Sequence, residues 1–119
     1  MHAVILPGLD GDARLRADFA SALAPDFEAR AVDFPPDLAG DYARFLAVCE
    51  AALPRQGEFI IVAESFSGPI ALQLAATRPT GLRGLVLCAS FARHPLAMLA
   101  PVVRLAPGRE RSLVQRHPW

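Results

Sequence analysis

The stretch Glu58-Phe-Ile-Ile-Val-Ala-Glu-Ser65-Phe-Ser-Gly-Pro-Ile-Ala-Leu-Gln-Leu-Ala-Ala76 changes from a strand pattern to a helix pattern within four residues. Its first part, from Phe59 to Ala63, is a continuous aromatic and β-branched run of the length expected for a strand that is buried on both faces. From Pro69 onward the apolar residues recur at helical spacing, and a proline in the first turn loses no hydrogen bond because that N–H would be unpaired anyway. Ser65 therefore lies at the corner between a buried strand and a helix.

The rest of the chain continues this alternation of strands and helices. The predicted elements are strand one (Ala3–Leu6), helix one (Arg14–Leu23), strand two (Glu28–Phe34), helix two (from a cap at Asp41 to Leu53), strand three (Phe59–Ala63), helix three (Pro69 to about Thr77) and strand four (Leu85–Ala89). The alternation predicts an α/β fold, a doubly wound parallel sheet of about four strands flanked by helices. Right-handed crossovers favour the strand order 2-1-3-4, in which ligands bind at the switch point between strands one and three.

Helix one and helix two each have one apolar side that we expect to face the core. In helix one this side consists of Leu15, Phe19, Ala20 and Leu23, while Arg14, Arg16 and Asp18 lie on the other sides. In helix two it consists of Tyr42, Phe45, Leu46, Cys49 and Leu53.

Length and composition limit the classes of function. The chain has 119 residues, of which 53% are hydrophobic and 20% charged, so it is expected to form one globular domain. Its formal net charge is zero, which argues against nucleic acid as the main partner. The N-terminal sequence predicts neither a signal peptide nor a membrane span, so the cytoplasm is the expected location. Cys49 and Cys88 have no metal or redox spacing and are expected to be free thiols; neither a metal nor a cofactor is predicted.

The two loops at the predicted switch point suit serine chemistry. A serine hydroxyl needs a base to remove its proton, and the oxyanion that forms on the attacked carbonyl needs donors already in place. Small residues around Ser65 give the tight bend of a nucleophile elbow. The N–H of Phe66 is expected at the start of helix three, facing the crevice, and the N–H of Leu9 comes from a glycine-flanked loop after strand one.

These loops resemble those of the α/β-hydrolase superfamily of serine esterases, lipases, thioesterases and acyltransferases. The sequence Ala63-Glu-Ser-Phe-Ser67, followed by Gly68, matches the relaxed form of the small-x-Ser-x-small elbow, and Pro7-Gly-Leu9 stands where the oxyanion loop is found. The resemblance covers about residues 3–95. It implies that Ser65 is the nucleophile, that Leu9 and Phe66 form the oxyanion hole, and that a small-molecule ester or thioester is hydrolysed through an acyl-serine.

The chain departs from this family after the nucleophile. Members place an acid and then a histidine on loops after later strands, but beyond Ser65 this chain has only Glu110, His94 and His117. Ser65, Glu110 and His117 follow the right order, yet residues 96–119 contain no convincing strand to carry the last two. His94 follows strand four and is a candidate base, with a solvated loop histidine as the alternative. We therefore expect the first half of a hydrolase, with a core half at 1–95 and the start of a cap or a frayed tail at 96–119.

Two other functions remain open. The chain could be a non-catalytic half-hydrolase that binds a partner or forms a homodimer through the exposed edge of strand four. It could also be an unrelated flavodoxin-like domain in which Ser65-Phe-Ser-Gly68 binds a phosphate at a helix N-terminus.

Several charged residues have less specific interpretations. We expect Glu64 to face solvent or a cap rather than act as a base. Asp10 and Asp12 are interpreted as turn formers rather than cation ligands. The loop Gly8-Leu-Asp-Gly11 lacks the spacing and lysine of a nucleotide loop. The C-terminal arginines are interpreted as a solvated terminus rather than a contact for anionic lipid or an acyl carrier; they are Arg104, Arg109, Arg111 and Arg116.

Overall fold

The computed structural model describes residues 1–37 and 42–92. Its elements, in chain order, are β1 (His2–Leu6), a 3-10 helix (Ala13–Arg16), α1 (Ala17–Leu23), β2 (Glu28–Ala31), α2 (Tyr42–Ala51), β3 (Phe59–Glu64), a second 3-10 helix (Ser65–Ser67), α3 (Gly68–Ala76) and β4 (Leu82–Cys88). Four of the sequence predictions fall outside the described residues: the Asp41 cap, the loop residue His94, the segment 96–119 and its residues Glu110 and His117.

The four strands form one sheet in the order β2-β1-β3-β4, and every neighbouring pair is parallel. This confirms the predicted strand order and the all-parallel sheet. β1 and β3 are the central strands, and the register places Leu6 opposite Ala63. The loops that follow these two strands therefore leave the same edge of the sheet side by side.

The main core lies between the sheet and the pair α2 and α3. Strand residues that share one face, such as Leu6 and Ile61, pack with Ile70 and Leu74 of α3 and with Cys49 of α2. Each large apolar side chain buried in this way contributes about 1.5–3 kcal/mol. The predicted apolar side of helix two is confirmed, because Cys49 is buried and the other four residues of that side pack against the core. Within the described ranges, no helix is long and apolar enough to cross a membrane.

The prediction for the apolar side of helix one is wrong at its first two positions. Leu15 is 69% exposed and Phe19 is 43% exposed, whereas Arg16 is only 6% exposed. At Leu15 the reason is that residues 13–16 form a 3-10 helix, whose three residues per turn rotate the side chains away from an α-helical arrangement. Arg16 is buried because its guanidinium pairs with the carboxylates of Asp10 and Glu64.

Two strand boundaries differ from the sequence prediction by three residues, and the others agree within one residue. β2 ends at Ala31 rather than Phe34, and the N–H of Phe34 donates to the carbonyl of Gly11 instead of continuing the ladder. β4 begins at Leu82 rather than Leu85, because backbone pairing does not require the apolar side chains that Arg83 and Gly84 lack.

Candidate active site

Ser65 occupies the corner between β3 and α3 in a backbone conformation that residues with a β-carbon rarely adopt. Its φ is +46°, in the left-handed region, where a residue with a β-carbon is strained by about 1–2 kcal/mol. The next residues form a single 3-10 turn that leads directly into α3 at Gly68. In the described part of the chain, the Ser65 hydroxyl has no hydrogen-bond partner. A sharp strand-to-helix turn with an unengaged serine hydroxyl is the geometry of a nucleophile elbow.

Contacts from two other loops hold this corner. The hydroxyl of Ser67 donates to the carbonyl of Pro7, in the loop after β1. The hydroxyl of Ser90, which follows β4, donates to the carbonyl of Ser65 at 2.7 Å. A β-carbon on Gly68 would overlap the Ser90 hydroxyl and lie 2.9 Å from its Cβ, so the closest approach requires glycine. The loops after three strands therefore fix the backbone of Ser65.

These contacts count against the phosphate-binding alternative. The Ser67 hydroxyl is buried and already bonded to Pro7, and the N–H of Gly68 donates to the carbonyl of Ser65. Neither of these two donors is therefore free to bind a phosphate at the start of α3.

The two predicted oxyanion donors, Leu9 and Phe66, lie the same number of residues after two positions that face each other in β1 and β3. Leu6 of β1 is opposite Ala63 of β3, and Leu9 and Phe66 each follow three residues later. Leu9 is the second residue of a turn closed by a 3.1 Å bond from the Gly11 N–H to the Gly8 carbonyl. Outside regular helices and strands, none of the hydrogen bonds in residues 1–37 and 42–92 uses the N–H of Leu9 or Phe66. Both predicted donors thus lie at the edge of the sheet where Ser65 is found.

A buried arginine that the sequence analysis missed connects the same two loops. Arg16 donates to both carboxylate oxygens of Asp10, with the Nη2 bond at 2.8 Å. Its Nε and Nη2 also donate to Oε2 of Glu64 at 3.0 and 2.6 Å. Glu64 is half-exposed, in keeping with the expectation that it faces solvent, and the contact that was not predicted is its ion pair with Arg16. One signal in the sequence could have indicated this arginine: Asp10 and Glu64 were both predicted to lie at the carboxyl edge of the sheet, and no positive charge was predicted beside them.

The ion pairs change the acid–base behaviour of this cluster. The hydrogen bond from Arg16 is the main cause that holds the pKa of Asp10 below its ordinary value of 3.8. Asp10, in turn, is the main cause that raises the pKa of Arg16. Because the pKa of Asp10 is lower in the folded state, its contribution to stability is present above about pH 3.8 and is lost as the pH falls below that value.

Asp10 and Asp12 also shape the loop after β1, as the turn-former interpretation expects. The Asp10 carboxylate accepts the N–H of Asp12 at 3.0 Å, and Asp12 accepts the N–H of Arg14 at 2.8 Å. Asp12 thereby caps the first 3-10 helix. No group of three or more His, Cys, Asp or Glu side chains suited to a metal ion occurs in the ranges that the structure describes.

Phe66, the residue after Ser65, packs into an aromatic cluster. Its ring centroid lies 4.8 Å from that of Tyr42, 5.1 Å from that of Phe45 and 6.4 Å from that of Phe34. The Tyr42 hydroxyl donates to the Phe66 carbonyl at 2.9 Å, and burial raises the pKa of Tyr42 to about 12. The stabilising effect of the neutral phenol is therefore fully present below pH 10.0 and is lost as the pH rises through about 12.

A cleft of about 490 Å³ opens on the side of the sheet that carries α1. Its walls are formed by Ile5, Asp10, Leu15, Arg16, Phe19, Val62, Glu64 and Cys88. The exposed side chains of Leu15 and Phe19 thus border the cleft, and the Arg16 cluster forms its polar part. Ser65 does not line this cleft, but Glu64, its neighbour in the chain, does.

Among the residues that the structure describes, the only histidine is His2, and it is not placed to act on Ser65. His2 begins β1 at the amino end of the sheet, and its Nδ1 lies 3.2 Å from Oε2 of Glu28. Ser65 lies at the opposite, carboxyl edge. The candidate base His94 and the sequence-ordered pair Glu110 and His117 remain predictions outside the described ranges.

The described residues form a small α/β protein with an all-parallel four-stranded sheet and a strained serine at its carboxyl edge. No protein-family model matches this chain, and no curated protein is significantly similar to it. The chemistry assigned to the corner therefore depends on the geometry of Ser65 and its neighbours.

Proposed function

We propose that this chain provides the nucleophile half of an α/β-hydrolase-type serine hydrolase that acts on an ester or thioester through an acyl-serine. The observation that supports this most is the left-handed backbone of Ser65, φ +46°, at the end of a central parallel strand. Strained backbone persists only where the surrounding structure enforces it, and it occurs preferentially at functional sites. Here the enforcing contacts come from Pro7 and Ser90, which belong to the loops on either side.

In the proposed reaction, Oγ of Ser65 attacks the carbonyl carbon of the ester. The negative charge that forms on the carbonyl oxygen is stabilised by the N–H groups of Leu9 and Phe66, and each such donor contributes about 10²–10³ to the rate. The bond to the leaving group then breaks, the alcohol or thiol departs with a proton, and an acyl-serine remains. Water cleaves the acyl-serine to release the acid and restore the hydroxyl.

The described residues supply no base for the serine proton, which determines the substrate range to expect. Serine hydrolases without their triad retain about 10³–10⁴-fold catalysis from the oxyanion hole and binding. We therefore expect acylation by activated esters and thioesters, whose leaving groups need little help, and very slow reaction with alkyl esters. A supplied histidine, His94 or one from elsewhere, would raise the rate.

Active-site labelling tests this proposal. The protein is incubated with a fluorophosphonate and, separately, with p-nitrophenyl butyrate, and the adducts are located by intact mass and peptide mapping. We expect one adduct per chain, on Ser65, with none on Ser65→Ala. Ser21→Ala is the matched control, because Ser21 is an exposed serine in α1. Absence of an adduct on the folded wild-type protein, or equal labelling of Ser65→Ala, would contradict the proposal.

A second function, a homodimer formed through the edge of the sheet, is favoured by one observation. Among the described residues, β4 pairs with β3 alone, and its side chains Val86 and Leu87 are 45% and 40% exposed. An unpaired apolar strand edge tends to pair with a second copy. Light scattering after size exclusion at about 100 μM should then give twice the chain mass, and Val86→Lys should give a monomer. A monomeric wild-type protein would count against the dimer.

A further inference from the structure

Arg16 is the most completely bonded charged side chain at the carboxyl edge of the sheet. Its guanidinium makes five hydrogen bonds: two to Asp10, two to Glu64 and one to the carbonyl of Asp12 at 3.2 Å. A guanidinium has five N–H donors in a fixed planar fork. Every donor of this buried side chain is therefore used, and its acceptors lie in the loop after β1 and at the end of β3, on the two sides of the candidate active site.

The acceptors lie next to the residues that the proposed chemistry needs. Asp10 directly follows Leu9, and Glu64 directly precedes Ser65. There is also no spare room in this linkage, because a β-carbon on Gly8 would lie 3.2 Å from Oδ2 of Asp10 and 3.3 Å from Nη2 of Arg16. A shift of either loop would stretch the bonds to Arg16 within one or two residues of the oxyanion donors.

We propose that Arg16 is a positioning residue, which acts through Asp10 and Glu64 to fix the N–H groups of Leu9 and Phe66 relative to each other. This inference rests on the proposed function of Ser65. The fixed spacing matters because donors stabilise an oxyanion only when they already point to the place where the charge develops.

Charge gives Arg16 a second effect at the same place. Asp10 and Glu64 would bring two negative charges to an edge where the reaction creates a third. The guanidinium compensates one of them, so removal of Arg16 leaves two carboxylates that repel each other and the oxyanion. Lysine would restore the positive charge but has only three donors and no planar fork.

Acylation kinetics with p-nitrophenyl butyrate test the proposal. The variants are Arg16→Met, Arg16→Lys and the matched control Arg14→Met, since Arg14 is an exposed arginine in the same 3-10 helix, paired with Asp12. We expect the saturating acylation rate of Arg16→Met to fall by about 10- to 100-fold, the loss typical of a donor displaced by about 1 Å. The half-saturating ester concentration should change by less than about twofold, because the donors act on the transition state. Arg16→Lys should recover part of the rate, and Arg14→Met should match wild type.

Amide hydrogen exchange, measured on the same proteins, separates this proposal from the proposed function. In Arg16→Met, the hydrogen-bonded N–H groups of Gly11 and Gly68, which close the turns that contain Leu9 and Phe66, should exchange faster, with no such change in Arg14→Met. If the wild-type protein is not acylated at all, the proposed function fails, and the exchange result alone decides whether Arg16 positions the two loops. If Arg16→Met does not fold, Glu64→Gln carries both measurements, since it leaves the pair of Arg16 with Asp10 intact. Unchanged exchange, or wild-type acylation by the Arg16 or Glu64 variant, would overturn the positioning role.

Discussion

Replacing Ser65 by alanine and, separately, by glycine removes the hydroxyl from both variants but the β-carbon from only one. At φ +46°, a β-carbon costs about 1–2 kcal/mol relative to the right-handed region. Glycine removes this strain but adds conformational freedom to the unfolded chain, which costs about 0.5–1 kcal/mol. At the midpoints of these two ranges, the glycine variant should therefore be more stable than the alanine variant by about 0.75 kcal/mol.

The same pair of substitutions at Ser21 should have the opposite sign. Ser21 is an exposed residue of α1, and glycine in a helix is about 0.5–1 kcal/mol less favourable than alanine. Urea denaturation followed by circular dichroism at 222 nm gives both differences, provided that the four variants share one m value. If alanine is as stable as glycine at position 65, or if both positions favour alanine, the strained corner is not present in solution and the argument for a nucleophile elbow fails.

Three further predictions concern the surroundings of the corner. Gly68→Ala should destabilise the protein by about 1–3 kcal/mol in urea denaturation, because the new methyl group overlaps Ser90. Tyr42→Phe should lower the free energy of unfolding by about 0.5–1.5 kcal/mol, since it removes the hydrogen bond to the Phe66 carbonyl. In the native protein, iodoacetamide at pH 8 should modify Cys88, which lines the cleft. Cys49 should remain unmodified, because burial raises the pKa of its thiol to about 12 and leaves about one thiol in ten thousand ionised.

Each of these predictions has a control that can contradict it. Gly84→Ala places its β-carbon only 3.4 Å from Cγ2 of Ile60 and in open space otherwise; an equal loss there would show that steric overlap is not the cause at Gly68. A Tyr42→Phe variant with wild-type stability would show that the phenol hydroxyl does not stabilise the corner at Ser65. Modification of Cys49 before unfolding, detected by peptide mapping, would contradict the buried core contact of α2.

The sequence was sufficient for the features that depend on regular patterns. The apolar run before Ser65 and the helical spacing after Pro69 predicted β3 and α3 within one residue at most boundaries. Alternating elements and right-handed crossovers then predicted the strand order. These features follow from periodicity and chain connection, which are local properties or nearly so.

The features of the site that the sequence did not predict all depend on contacts between distant residues. Arg16 lies next to an apolar residue in a short charged segment, and nothing local indicates that Asp10 and Glu64 will converge on it. Leu15 is exposed because it belongs to the same 3-10 helix as Arg16, and this helix turns Arg16 toward the two carboxylates. Ser90 had no motif of its own, although its hydroxyl helps to hold the corner.

The bond between Ser67 and Pro7 has a consequence for the order of folding. It joins the loop after β1 to the corner after β3, and these two strands begin at His2 and Phe59, far apart along the chain. Closing so long a loop into a parallel pair is slow compared with forming a local helix. An excised peptide of residues 58–76 should therefore form some α3-like helix but leave Ser65 in ordinary right-handed or extended conformations. The strained serine is then a late product of folding, and a chain that has collapsed without pairing β1 to β3 would have no left-handed residue at this corner.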